Sequence, residues 1–252
     1  MTAAPSLIVT RPEPEATRWT EALRARGIDA HALPLIEIAP LAGAIAWPVG
    51  TPPQALMFVS AAAVRHFYTA RPPEAVAACR CWATGPGTAR ALADAGVDAT
   101  RIDQPPAEGP FDSESLWARV HGQVGPGACV WLVRGADAQG RAAGRDWLSR
   151  QIEAAGGMAV QLAVYRRLAP ALGDADARIV QAGIEGGATW LFSSSEAVGN
   201  LRGLVPQADW SRAAALATHE RIAQAARDAG FGLVRVVPPD LDAVAASIEF
   251  PR

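Results

Sequence analysis

The chain has 252 residues, half of them hydrophobic and 19% charged, with a net charge of −2; the length suits two domains with a core each, and the composition excludes a disordered chain. With no basic cluster longer than Arg166 and Arg167, the near-neutral balance argues against nucleic acid and anionic membrane surfaces as partners. Three cysteines, Cys79, Cys81 and Cys129, without a CxxC pair argue against a disulfide framework or a zinc site, and the absence of a signal-like N-terminus or an apolar run of membrane length makes the cytoplasm the expected location.

The first predicted element is a short apolar strand at Leu7 to Val9. Ala16, Trp19 and Leu23 then recur at three- and four-residue spacing, marking an amphipathic helix stopped by Gly27. A second strand leads to Pro40, and a Pro- and Gly-rich stretch covers 40–54. "MFVSAAAVRHF" (57–67) reads as a strand, a serine and a helix start, in which His66 is solvated or packed and Tyr68 packs. "CWATGPGTARALADAG" (81–96) is a strand with a glycine-rich turn into a helix, and the loop "QPPAEGPFDSESLW" (104–117) leads to a helix begun by Asp112 and Glu114. From 130 to 170 the pattern of the first forty residues returns: an apolar strand ending in Arg134, a helix, a glycine stop, a second strand with Tyr165 at its exit, and a proline. Ile179, Ala182 and Ile184 mark a helix; "LFSSSEAVGNL" (191–201) follows, with Ser193 and Glu196 read as a capping box, and then "ALATHERIAQAARDAG" (215–230).

These segments echo one another. Phe58 and Phe192 are 134 residues apart, and the same offset aligns 81–96 with 215–230. Two matches in one register imply internal duplication. Strands alternating with helices of ten to fifteen residues imply parallel sheets covered on both faces, about five strands per domain, in the flavodoxin-like form of the doubly wound fold.

In such sheets ligands bind beyond the carboxyl ends of the strands. The turns there carry Arg11, Ser60 and Ala61, Thr84, Gly85, Gly87 and Thr88, Arg134 and Gly135, Ser193 and Ser194, and His219 and Arg221. Small hydroxyl and glycine residues suit binding of carboxylate or phosphate groups by backbone amides. The serines also read as plain helix N-caps. "TGPGTA" is neither GxGxxG nor a Walker motif, and the four histidines lack metal-ligand spacing, so no metal or organic cofactor is expected.

The ordered series "TRPEPEA", "FVSAAAV", "TGPGTARAL", "DSESL", "LVRG", "VYR", "FSSSEAV" and "DAGF" resembles the uroporphyrinogen-III synthase family from Leu7 to about Ile248. The resemblance implies two similar α/β domains, the first discontinuous (1–36 with 170–252), the second at 40–164, joined by a two-stranded linker at 36–40 and 165–170. Its implied activity is closure of hydroxymethylbilane, a linear tetrapyrrole with eight carboxylates, to uroporphyrinogen III, with loss of water and inversion of the last pyrrole through a spiro intermediate. No cofactor is implied. Tyr165, as proton donor, and Thr88 are the implied catalytic residues, with the other turn residues binding substrate. Ile222 stands where the second copy would carry the counterpart of Thr88, a departure for which His219 and Arg221 are the compensating residues. A monomer, with transient contact to the preceding pathway enzyme, is the expected assembly. A non-catalytic two-domain ligand binder or sensor is the second reading; it accounts for the duplication but not for the ordered motifs.

Overall fold

The computed structural model describes residues 6–249 apart from 42, 44, 51, 71, 108, 109, 138, 139 and 143–145. Parts of the expected 40–54 stretch and of the loop before Asp112 therefore lie outside the described residues, as do the outermost ends of the first domain. In chain order the elements begin with β1 (Ser6–Val9), α1 (Glu15–Arg24), β2 (Asp29–Ala32), β3 (Glu37–Pro40), β4 (Ala55–Phe58), α2 (Ala61–Thr69), β5 (Arg80–Ala83), α3 (Pro86–Asp94), β6 (Ile102–Asp103) and α4 (Ser113–Val120). They continue with β7 (Cys129–Ala136), α5 (Trp147–Ala154), β8 (Met158–Leu168), α6 (Asp174–Ile184), β9 (Ala188–Phe192), α7 (Ser195–Leu204), β10 (Ala214–Ala217), α8 (Glu220–Asp228), β11 (Leu233–Val236) and α9 (Leu241–Glu249). No helix among the described residues is long and apolar enough to cross a membrane.

The chain divides into two compact units, Met1–Glu37 with Leu168–Arg252, and Ile38–Arg167. The first holds a five-stranded sheet in the order β2-β1-β9-β10-β11, the second a six-stranded sheet in the order β3-β8-β7-β4-β5-β6. The expectation of about five strands holds for the first; the second has a sixth, β3, from the expected two-stranded linker, which lies beside β8 at the edge of the sheet.

The duplication is visible in the strand register. Met57 pairs with Trp82 and Leu191 with Leu216, while Met57 also pairs with Leu132 and Leu191 with Val9. Both 57 to 191 and 82 to 216 are steps of 134. Each sheet thus contains the same five-strand order, but the chain enters it at different points: β1 and β2 precede β9 to β11, whereas β4 to β6 precede β7 and β8. The second unit is a circular permutation of the first, so a single duplication yields one continuous and one divided unit.

Central strands are buried on both faces, as parallel strands between helices must be; all eight residues of β7 are buried. In the second unit Leu56, Phe58 and Phe67 fill one face and Met57, Trp82, Leu132 and Leu148 the other. The three cysteines are buried and unpaired. In the first unit Leu7, Val9 and Leu191 pack with Trp19, Leu23 and Val244 of α1 and α9. Trp190 sits under α6, where a Cβ on Gly183 would come within 2.6 Å of its indole, so only glycine lets that helix down onto the ring.

Candidate functional site

The carboxyl ends of β4, β5, β9 and β10 turn into helices through extended cap residues. Ser60 (φ −167°, ψ 162°) accepts the Ala63 N–H at 3.1 Å and begins α2. Ser194 (φ −152°, ψ 135°) accepts the Glu196 N–H at 3.2 Å and begins α7. The capping box expected at Ser193 is therefore corrected by one residue: β9 ends at Phe192 as β4 ends at Phe58, and in both copies the cap comes two residues later. At α8 the cap is His219, whose Nδ1 accepts the Arg221 N–H at 3.1 Å. Its counterpart at α3 is Gly85, which has no side chain to cap with and is followed by Pro86. The Thr88 and Ala89 N–H groups bond back to the Gly85 carbonyl.

Tyr165 does not sit at the exit of its strand, as the sequence suggested, because β8 runs on to Leu168 and pairs Arg166 with Ala136 of β7. Tyr165 pairs with Gly135, just after a register shift, and is 2% exposed. Its hydroxyl lies 3.3 Å from Ser60 Oγ. A Cβ on Gly135 would fall 2.6 Å from Cε2 of the tyrosine ring. On the α2 side the His66 ring lies 5.5 Å away, centroid to centroid. Burial, reinforced by the Arg65 charge, holds the His66 pKa below its ordinary value. Ser60, just past the end of β4, Gly135, near the end of β7, and Tyr165, within β8, are thus brought together.

Arg134, 4% exposed, joins this group: burial pushes its pKa down, while the Asp146 carboxylate, 3.7 Å from Nη1, and then Tyr165 pull it up. Arg11, its counterpart in the repeat, lies with Cζ 3.9 Å from the centre of the Trp19 ring, a cation–π contact. Burial drives its pKa down to about 10, against the Glu15 carboxylate and with a further push from Arg18. Its Nε is buried without a hydrogen-bond partner. Arg11 therefore stays cationic at neutral pH, desolvated, with donor capacity unspent.

The remaining expected residues are placed as follows. Thr84 donates its hydroxyl to the Val59 carbonyl at 3.2 Å, and Thr10 donates to the Leu191 carbonyl at 2.7 Å, each tying one strand-end turn to its neighbour. Thr88 is buried in the first turn of α3, and Ile222, 134 residues on, is buried in the first turn of α8. Gly87 lies in α3's first turn, Ala61 and Ser193 are half-buried, and His219 and Arg221 are exposed. His66, read from the sequence only as a solvated or packed side chain, and Asp146 and Phe111, the last packed on Gly85, were not among the expected site residues; only their contacts across the fold reveal them. Among the described residues no group of three or more His, Cys, Asp or Glu is placed to hold a metal ion.

The family model for uroporphyrinogen-III synthase HemD matches residues 17–244. Two solved structures resemble the fold over nearly the whole chain. A mutant uroporphyrinogen III synthase from the extremely thermophilic bacterium Thermus thermophilus is 16% identical with a TM-score of 0.57 over 98% of each chain. The uroporphyrinogen-III synthetase of Helicobacter pylori is 14% identical with a TM-score of 0.62, over 97% of this chain and 98% of that one. At these identities the likeness speaks for the fold. No curated protein matches the chain.

Proposed function

The chain belongs to the uroporphyrinogen-III synthase family, and we propose that the turns at the carboxyl edges of its sheets bind hydroxymethylbilane while Tyr165 assists the loss of water that closes it to uroporphyrinogen III. The observation that carries this reading is the Tyr165–Ser60 contact of 3.3 Å beside the carboxyl ends of β4 and β7. A phenol is protonated at neutral pH and can donate to a departing hydroxyl. Half-buried Ser60 supplies a relay from the packed phenol to the surface.

The pyrrole nitrogen pushes electrons toward the hydroxymethyl carbon as its C–O bond breaks. The oxygen leaves as water, taking a proton from the phenol. Attack by the substituted carbon of the last ring forms the spiro intermediate, and its rearrangement and final closure release a proton that restores the phenol. The acid contributes modestly because the nitrogen already makes the hydroxyl a good leaving group. Holding the chain so that the substituted carbon attacks is the larger task. Cationic Arg11 and Arg134, the backbone N–H groups of the Thr84–Gly87 turn, and the turns at Ser193, Ser194, His219 and Arg221 are the assigned carboxylate donors. Thr88, packed beneath its turn, supports that turn from below.

Finer assignments belong to the same reading: the two units are the domains of the enzyme, it acts in the cytoplasm, and it meets the enzyme that supplies the bilane only transiently, which crosslinking of the two would test. The decisive experiment incubates the protein with enzymatically generated hydroxymethylbilane and separates the porphyrin isomers after oxidation. Predominance of the type III isomer supports the reading, and type I alone refutes it.

A further inference from the structure

Among the described residues Phe111 is the one Phe, Tyr or Trp that is exposed, at 40%. It is nevertheless held in place. The next residue, Asp112, caps α4 by accepting the Ser115 N–H at 2.8 Å. On its other side Phe111 rests on the backbone of the Thr84–Gly87 turn: its Cβ, Cγ and Cδ1 lie 3.2, 3.4 and 3.6 Å from where a Cβ on Gly85 would stand.

Gly85 has φ 177°, extended backbone that any residue adopts. Glycine is therefore not needed there for its backbone angle, and what its missing side chain provides is room for Phe111. A structural alternative exists, since a hydrophobic residue just before a helix cap often packs on the fourth helical residue, here Leu116. Leu116, however, is already fully buried, while Phe111 remains 40% exposed. The ring does not complete the core.

We propose that Phe111 is a substrate-positioning residue, its open ring face stacking against a pyrrole of the linear tetrapyrrole at the Gly85 turn. The inference rests on the reading of the chain as a bilane-closing enzyme. A flat, electron-rich heterocycle is the chemistry that an anchored, half-open phenyl ring recognises, by offset or edge-to-face contact. The carboxylates of the same substrate need donors, which the neighbouring turn has; the apolar ring faces need a surface, which among the aromatic side chains described only Phe111 offers openly.

The test uses the full chain and enzymatically generated hydroxymethylbilane. Phe111→Ala should raise KM about three- to tenfold, as expected for one lost aromatic pair, with kcat, isomer ratio and melting temperature near wild type. Phe111→Tyr and Phe111→Trp should keep the wild-type KM, and Phe111→Leu should behave like Phe111→Ala. Gly85→Ala, whose Cβ would crowd the ring, should raise KM in the wild-type background and add nothing to Phe111→Ala. An unchanged KM in Phe111→Ala overturns the proposal, as does full rescue by Phe111→Leu, which would make the residue an apolar filler. A rise in KM that merely tracks a fall in melting temperature also overturns it. Wild-type protein that makes no type III isomer sinks the activity reading itself; type III activity with an indifferent Phe111 sinks the stacking alone.

Discussion

The Tyr165 hydroxyl lies 3.3 Å from Ser60 Oγ, and that oxygen also accepts the Ala63 N–H at 3.1 Å, so the phenol is tied to the first turn of α2 through the residue that caps it. One hydroxyl group thus links a helix cap to the assigned proton donor. Tyr165→Phe keeps the ring and removes only the hydroxyl, with its proton and its contact to Ser60, so turnover should fall about 10- to 100-fold, at or below the low end of general-acid effects, with the fold and the type III isomer retained. Ser60→Ala should cost about 1 kcal/mol of stability through the lost cap and, because it removes the relay, lower turnover about as much as Tyr165→Phe. Initial rates with isomer analysis decide: wild-type turnover in folded Tyr165→Phe removes the donor role, and a shift toward type I would assign the residue to ring geometry.

Gly135 makes a sharper test of the same residue. A Cβ there would lie 2.6 and 2.8 Å from Cε2 and Cζ of Tyr165, closer than packed carbons come. Gly135→Ala should therefore push the ring off Ser60, lower turnover about as much as Tyr165→Phe, and cost roughly 1–3 kcal/mol by overpacking. Because both changes act on one hydroxyl, the double variant should turn over no more slowly than the worse single variant. Multiplicative losses would mean that Gly135 serves catalysis by a separate route.

Arg11 sets function against stability. A base whose pKa falls on folding, here to about 10, opposes folding while it stays charged, and that penalty is relieved only as pH rises through the folded value. Replacing it by Met, which retains the apolar stem, should leave the melting temperature at pH 7 unchanged or raised. If Arg11 binds a substrate carboxylate, the same variant should raise KM roughly tenfold or more, the scale of a lost charged hydrogen bond. A stable variant with wild-type KM would leave the Trp19 contact as the residue's whole purpose.

What was legible in the sequence follows from what the repeat preserves. The 134-residue offset could be read because it joins strand residues buried in both copies, such as Phe58 and Phe192. The cap was misread at Ser193 because three successive serines look alike; which one caps depends on where β9 stops, and the pairing of Phe192 with Ala217 decides that. Tyr165 was placed at a strand exit because a crossing between domains was expected to begin beside Arg166 and Arg167, but pairing with β7 carries the strand on. His66 beside Tyr165 and Phe111 on Gly85 leave no local pattern, since each contact joins segments that only the fold brings together.

The short strand β6 is pinned by Asp103, which accepts Arg80 Nε at 2.7 Å and Nη2 at 2.8 Å in a forked pair, with Gln123 Nε2 at 3.1 Å. Gln123 in turn accepts the Trp82 indole N–H at 2.9 Å, so the network reaches the core. Burial pushes the Asp103 pKa up, but the hydrogen bonds from Arg80 and Gln123, with the charges of Arg80 and Arg119, outweigh it and hold the carboxyl below its ordinary value. The unfolded chain then binds the proton more readily than the native one, so this stabilisation is present above the ordinary carboxyl pKa of about 4 and is lost as pH falls through the lower, folded value. Asp103→Asn should be less stable than wild type by about 1–3 kcal/mol at pH 7, the scale of hydrogen bonds to a charged group, and the two should converge as pH drops below about 4. Urea unfolding of both proteins from about pH 7 to about pH 3 measures this, and comparing them at each pH cancels the titration of the other carboxylates. A stability gap as wide at the acid end as at neutral pH would show that shape and not charge fixes the network.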